Sequence, residues 1–366
     1  MRSFARTLAL TAAAFAALAA PAAAVQPHLN HVFVIMLENE NASTTFGEQT
    51  DAPYLARTLR SQGAFLPNYY GIGHESLDNY IAMVSGQAPN IETQADCQFF
   101  TDFLPGTPAA DGQYIGQGCV YPPGVETVAN QLEDSGYTWK GYMEDMGSSC
   151  RHPAINARDD TQNARVGDQY AARHNPFVYF HLIIDFPTCD QNDVDYSQLA
   201  TDLQSASTTP DYAFITPNLC NDGHDAPCVD GQPGGLTQVN EWLKANVPPI
   251  LASSAFRDRG LLLITFDEAD GGPGGDADAS ACCGEQPGFN TPNPGGLTQG
   301  PGGGRVGAVL LSPCIQAHTR VKHDYNHYSQ LRFVERNFHL PYLGYAWTPN
   351  PGAFGARVFT DPACTP

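Results

Sequence analysis

Two apolar runs constrain this chain more than any other feature. His31-Val32-Phe33-Val34-Ile35-Met36-Leu37 is almost unbroken and stops at Glu38-Asn39, and Leu261 to Phe266 stops at Asp267-Glu268. A strand with one face in water alternates in polarity. One that stays apolar is buried on both faces, as in a parallel sheet covered by helices. Tyr212 to Thr216 reads as a third such strand, ending before Pro217 and Asn218. In an open α/β sheet the carboxyl ends of the strands face one crevice, so polar residues that follow separate strands converge there.

Between these strands the sequence predicts helices near Ala52 to Ser61, Ser76 to Val84, Val125 to Asp134, Tyr196 to Ala206 and Leu236 to Ala245, the last interrupted by Pro248-Pro249. Tyr328, Leu331, Val334 and Phe338 form a stripe that makes Asn326 to Phe338 another helix. Three irregular stretches, 97–119, 146–175 and the Gly- and Pro-rich 271–304, read as rim insertions on a single domain spanning 25–366.

Of the 366 residues 42% are hydrophobic, enough for a large core, and Asp plus Glu number 38 against 18 Lys plus Arg. The formal charge of −20 argues against a nucleic-acid binder, and an anionic substrate needs a local exception such as a metal ion or a cluster of amides and imidazoles. Residues 1–24 carry Arg2 and Arg6, an apolar run around Leu8 to Ala20 and an Ala-rich end, the pattern of an export signal. No later segment offers about twenty unbroken apolar residues, so no integral membrane segment is expected in the mature chain. Ten dispersed cysteines without a CxxC then favour disulfides over metal–thiolate sites and place the protein outside the cytoplasm, secreted or periplasmic. Cys220 with Cys228 is a plausible local closure, while the adjacent Cys282 and Cys283 are expected to have different partners.

Four polar clusters carry possible chemistry: Glu38-Asn39, His74 to Asn79, His224-Asp225 and Asp267-Glu268. Carboxylates and an amide oxygen are hard ligands for a divalent metal ion, although each pair is equally an ordinary strand-end turn. Ser76 opens a helix and is either its cap or a nucleophile whose phosphate would meet the helix-start amides. Asn79, one turn on, stands where its amide can donate to a phosphate oxygen. His224 is either functional or part of a loop network with Asp222 and Asp225. His181 is a buried, satisfied histidine or a ligand. His327 is a helix-opening hydrogen-bond partner or a donor to phosphate, and His74 is similarly ambiguous beside Ser76. Tyr80 and Tyr328 read as packing residues.

His31 to Asn39 with Phe46-Gly47, Gly73 to Tyr80, Phe214 to Asp225, Phe266-Asp267-Glu268 and Asn326-His327-Tyr328-Ser329 together resemble, in order, the blocks of the phosphoesterase family that contains secreted acid phosphatases and bacterial phospholipases C. The His-x-Ser-Leu-x-Asn-Tyr segment looks like its acid-phosphatase branch. Two positions depart from the pattern: Asp78 stands where the family often has Pro, and Asn326 where an acidic residue is common.

The resemblance implies an alkaline-phosphatase-like α/β/α sandwich with a central, mostly parallel sheet. It implies Ser76 as nucleophile, Asn79 as phosphate contact, and Glu38, Asn39, Asp267 and Glu268 as ligands of a divalent metal ion. His224 and His327 fall near the phosphate, with His74, His181 and Asp225 as weaker candidates. The implied activity is a metal-dependent acid phosphatase that hydrolyses phosphomonoesters through a phosphoserine. The alternatives are a phospholipase C or other phosphodiesterase acting on a lipid headgroup, and a non-catalytic phosphate-binding or structural protein.

Overall fold

The computed structural model describes residues 27–270, 278–348, 352–361 and 364. The export-signal pattern and the first part of the 271–304 stretch lie outside the described residues. Eight strands form the main sheet: β1 (His31–Leu37), β2 (Ala64–Leu66), β3 (Trp139–Met143), β4 (Asp193–Asp195), β5 (Tyr212–Thr216), β6 (Gly260–Phe266), β7 (Ala308–Leu311) and β8 (Thr319–Arg320). Their order is β8-β2-β7-β6-β1-β5-β3-β4. Neighbours pair in parallel except at β7, which runs antiparallel to both β2 and β6.

The apolar runs take the places their composition dictates. Every residue of β1, β5 and β6 is buried. Val32 to Ile35 pair with Tyr212 to Ile215 on one side, and Leu37 stands level with Phe266 on the other. Three parallel strands therefore end side by side, delivering Glu38, Asp267 and the loop after Thr216 to one end of the sheet.

Helix α1 (Ser76–Ser85) is buried at every position, and α2 (Val128–Asp134) starts at a Thr127 capping box with Asn130. Helix α3 (Gly235–Ala252) differs from expectation by running through Pro248 and Pro249. Each proline withholds one N–H, from the carbonyls of Lys244 and Ala245, and these two residues and both prolines are exposed, so water can serve the freed acceptors while Val247 and Ile250 anchor the helix in the core. The expected helix over 196–206 shrinks to a 3-10 turn at Tyr196–Gln198 and one turn at Leu199–Asp202. Helix α4 (His327–Asn337) has Asn326 as its cap, its side chain accepting from Ser329 N. None of the helices among the described residues is long and apolar enough to cross a membrane.

Disulfides join Cys97–Cys119, Cys150–Cys189, Cys220–Cys228, Cys282–Cys283 and Cys314–Cys364. The Cys220–Cys228 closure is as expected. Cys282 and Cys283 bond to each other, not to separate partners: the chain bends there, and the alternation that would aim neighbouring side chains apart in extended backbone does not apply. The 97–119 stretch contains an antiparallel hairpin, Leu104–Pro108 with Tyr114–Gln117.

Candidate active site

Glu38 is the hub. It is fully buried, accepts from Ser76 Oγ at 2.8 Å on Oε2, and accepts from the Tyr80 hydroxyl on Oε1. His174 Nε2 lies 3.3 Å from the same Oε2, and its Nδ1 lies 3.2 Å from Asp222 Oδ2. Asp267 faces Glu38 and Ser76 and accepts from Asn39 N at 3.1 Å. The backbone ties these strand ends together, through Glu38 N to Asp222 O at 2.9 Å and Asp267 N to Leu37 O at 2.9 Å.

Ser76 is not the cap of α1. Glu75 holds that position, and the Ser76 hydroxyl, the first residue inside the helix, is spent on Glu38. The helix-start N–H of Leu77 is already taken by Asp96 Oδ1 at 3.0 Å, so the amides there are not all free for a phosphate. The loop before Ser76 is pressed against the end of β6: a Cβ at Gly71 would sit 2.7 Å from the Asp267 carbonyl, so only glycine allows this approach.

Three buried carboxylates without a lysine among their contacts make an unusual electrostatic centre. Burial first, and then mutual repulsion, push Glu38 and Asp222 well above the usual carboxylate range, and burial does the same to Asp267. Burial, Arg173 and His224 push His174 well down, so its ring is neutral. A neutral imidazole carries one N–H, yet His174 faces a carboxylate from each nitrogen, so at least one acceptor faces an acceptor unless a proton or a cation lies between them. Asp222 Oδ2, Asp267 Oδ2 and Asn39 Oδ1 are also buried without a hydrogen-bond partner among the described residues. One ligand atom each from Glu38, His174 and Asp222 lies within 4.8 Å of the others. This oxygen-rich donor set with one imidazole fits a divalent cation.

Several expected residues are placed elsewhere. Glu268 turns to His74 Nδ1, and His74 Nε2 reaches the Asp278 carbonyl at 3.3 Å, so these two pair with each other instead of joining the Glu38 cluster. Asn79 accepts from Ile72 N at 2.7 Å and Gly73 N at 3.2 Å and donates to the carbonyls of Gly73 and Glu75. With all four of its hydrogen bonds made to the loop that precedes Ser76, it has no donor left for a phosphate. His327 is likewise consumed: Nε2 donates to the Asp267 carbonyl, Nδ1 accepts from Tyr69 at 3.1 Å, and burial pushes its pKa down to about 4. It supports the end of β6 from behind. His181 joins a different network, between Asp102 at 3.0 Å and Asp185 at 2.9 Å.

His224 borders the cluster and is partly exposed. Its N–H is held by Asp222 Oδ1 at 2.8 Å, its Nδ1 faces Asp225 Oδ1 at 2.8 Å, and its Nε2 lies 3.2 Å from Arg173 Nη2. Both the loop network and the approach to the cluster are therefore real. Arg173 is 3% exposed, with Nε 3.3 Å from Asp96. Burial works against its charge, but Asp96, Glu38 and Asp222 outweigh it and hold the guanidinium ionised. Arg173, His174, Asp222 and Tyr80 were not among the sequence candidates for catalysis or metal binding. The 146–175 stretch, expected only to shape a rim, places Arg173-His174 inward on a short 3-10 turn, Ala172–His174. The following Asn175-Pro176, which fixes a turn, was the available sign.

A sequence model described as the Phosphoesterase family matches residues 48–341. The chain belongs to this family. Among similar members, a Kluyveromyces lactis protein named "Probable acid phosphatase" is 26% identical over 315 residues, covering 85% of this phosphoesterase and 59% of that protein. A Mycobacterium tuberculosis protein named phosphatidylinositol-3-phosphatase is 26% identical over 250 residues, covering 68% and 67%. The phosphoesterase thus spans 59% of the length of the Kluyveromyces relative. A Vibrio parahaemolyticus crystal structure of a protein in the alkaline phosphatase superfamily superposes with a TM-score of 0.51 at 11% identity, over 87% of this chain and 68% of that one, and so shares the fold.

Proposed function

We propose that this phosphoesterase is an exported, metal-dependent phosphomonoesterase of the acid-phosphatase type, with Ser76 as nucleophile. The observation that carries the reading is the Ser76 hydroxyl, first in α1, donating at 2.8 Å to a carboxylate in a buried acidic cluster. Glu38, Asp267, Asp222 and His174, with Asn39, would hold the divalent cation. When bound, the ion supplies Lewis acidity that lowers the serine hydroxyl pKa and screens charge at phosphorus.

The chain's own residues do the rest. The Ser76 proton moves to Glu38 Oε2, Oγ forms a bond to phosphorus, and the ester P–O bond breaks. Arg173 stabilises the equatorial oxygens in place of Asn79, whose role becomes that of holding the Gly71–Glu75 loop. With the Arg173 guanidinium turned from His224 Nε2 to the phosphate, the imidazolium of His224, held by Asp225, gives a proton to the departing alkoxide and as the neutral ring takes one from the water that attacks the phosphoserine; the P–Oγ bond breaks and Ser76 recovers its proton from Glu38. The five disulfides and the pattern of residues 1–24 support export.

The phosphatase names of the relatives favour monoesters over the phosphodiesterase reading, and the mycobacterial one makes a phosphorylated lipid headgroup a substrate to include. Phosphoenzyme trapping during a metal-controlled panel of mono- and diesters tests this. Phosphate recovered on Ser76 with monoester turnover is expected. Preferential diester cleavage would move the assignment to a phosphodiesterase, and phosphate binding without turnover would make the chain a binding protein.

A further inference from the structure

Far from the acidic cluster, a cavity of about 350 Å³ is lined by Arg57, Arg60, Arg320 and His318, together with Phe65 and Thr319, and no carboxylate belongs to its wall. In a chain with 18 Lys plus Arg against 38 Asp plus Glu, three arginines on one small cavity is a marked concentration. None of the three pairs with an acid among the described residues. Arg57 donates to the Glu48 backbone carbonyl at 2.6 Å, while the Arg60 and Arg320 guanidiniums lie over the same Phe65 ring, 4.2 and 5.5 Å from its centroid.

The ring stabilises each cation but leaves their mutual repulsion in place. Burial first, and then Arg320, pull the Arg60 pKa down, which is the signature of a cation held near another without a counter-charge. The cavity sits on β2 and the edge strand β8, three and four strands from β1, roughly 14 to 19 Å across the sheet, and shares no residue with the catalytic cluster.

The geometry points to a second anion site here, taking a phosphate monoester dianion. Guanidinium forks match phosphate oxygens in paired hydrogen bonds, and several converging on one cavity suit a doubly charged group better than a carboxylate. Against a net charge of −20, this patch reverses the local field, which an approaching anion requires. The same headgroup chemistry is offered by free phosphate and by a phosphomonoester lipid in a bilayer.

The test uses the full chain. Equilibrium dialysis against labelled inorganic phosphate is run beside flotation with phosphatidylcholine vesicles, with and without phosphatidic acid. Arg320→Gln, at an exposed position with no side-chain hydrogen bond among the described residues, and Arg60→Gln are the variants, with melting curves to confirm folding. The wild type should bind one equivalent beyond that held at the catalytic centre, and each variant should weaken that additional binding about tenfold or more. Turnover and competitive inhibition by phosphate at the catalytic centre should stay unchanged. Binding of phosphate alone names a soluble ligand, and binding only to phosphatidic acid vesicles names a bilayer headgroup. Binding to neither beyond the single equivalent that competes with ester at the catalytic centre, or folded variants that bind as many equivalents as the wild type, overturns the site. Dialysis reads the site even if no ester is hydrolysed, so its failure and that of the catalytic reading are distinguishable.

Discussion

Tyr80 and His174 lie face to face, their ring centroids 5.4 Å apart and their planes 7° from parallel, and both end on Glu38. A carboxylate gripped from two sides by stacked rings has little freedom to rotate, which suits the roles of ligand and proton acceptor proposed for Glu38 beside Ser76. Tyr80→Phe keeps the stack and removes the donor. We expect activity and divalent-metal affinity to fall together by about ten- to a hundredfold, with an unchanged fold by circular dichroism. Steady-state kinetics alongside metal titration checks this, and a variant that binds metal and turns over like the wild type would show that the tyrosine only packs.

Ser76→Ala removes the proposed covalent route. Turnover of monoesters should drop by at least about a thousandfold, and no phosphoenzyme should be trapped. The melting temperature should change little, because Ser76 Oγ serves Glu38 and does not cap α1. Near-normal turnover by this variant excludes the serine mechanism whatever the metal content.

Removal of the proposed cation has a pH signature. In the cation-free fold Glu38, Asp222 and Asp267 have raised pKa values, through burial first. The folded state then binds protons more tightly than the unfolded chain, whose carboxylates titrate near about 4. Their stabilising contribution is fully present below that value and is lost as pH rises through the raised ones. Chelated protein should therefore lose stability as the pH is raised from about 4 towards neutrality. Protein held in excess cation should not, and ion at a hundredfold over its Kd adds about 2.7 kcal/mol. Asp222→Asn should shrink the difference between the two curves. Melting curves across pH with and without chelator decide it, since parallel profiles would mean the cluster holds no ion.

The frame of the molecule was legible where a single physical constraint acts on consecutive residues. Burial on both faces writes itself into β1 and β6 as unbroken apolar runs, and the polar pair after each run marks where the crevice must lie. The helix starts at Ser76 and near Asn326 were readable for the same local reason, although Asn326 proves to be the cap and not the first residue inside. Arg173 and His174 were not, because an irregular segment has no period from which to infer a direction, and their inward placement depends on a tertiary anchor: the Thr216 hydroxyl donates to the His174 carbonyl at 3.1 Å. Nor could spacing reveal that Asn79 and His327 have their polar atoms consumed by Ile72, Gly73, Tyr69 and Asp267, since those partners come from tertiary approach and not from the helix that carries each residue. The sequence signalled which residue types gather at the strand ends, but not which of them remain free to act.

His181 offers a prediction independent of catalysis. It bridges Asp102, beside the Leu104–Pro108 hairpin, and Asp185, just past its own helical turn His181–Ile184. Burial alone would lower its pKa, but the hydrogen bonds it donates to Asp102 and Asp185 outweigh it, and the folded value is raised. The charged form is thus favoured by folding, so the bridge is fully present below the unfolded value of about 6.5 and is lost as pH rises through the folded one. His181→Asn should unfold at lower urea than the wild type near pH 5, with the gap closing towards pH 9. Solvent reaches Asp185, whose side chain is 55% exposed, and will screen the effect, so high salt should narrow the gap at pH 5 as well. A gap that is the same at both pH values would mean that the imidazole contributes packing alone, and that the hairpin is tied down by Cys97–Cys119 without help from the charge.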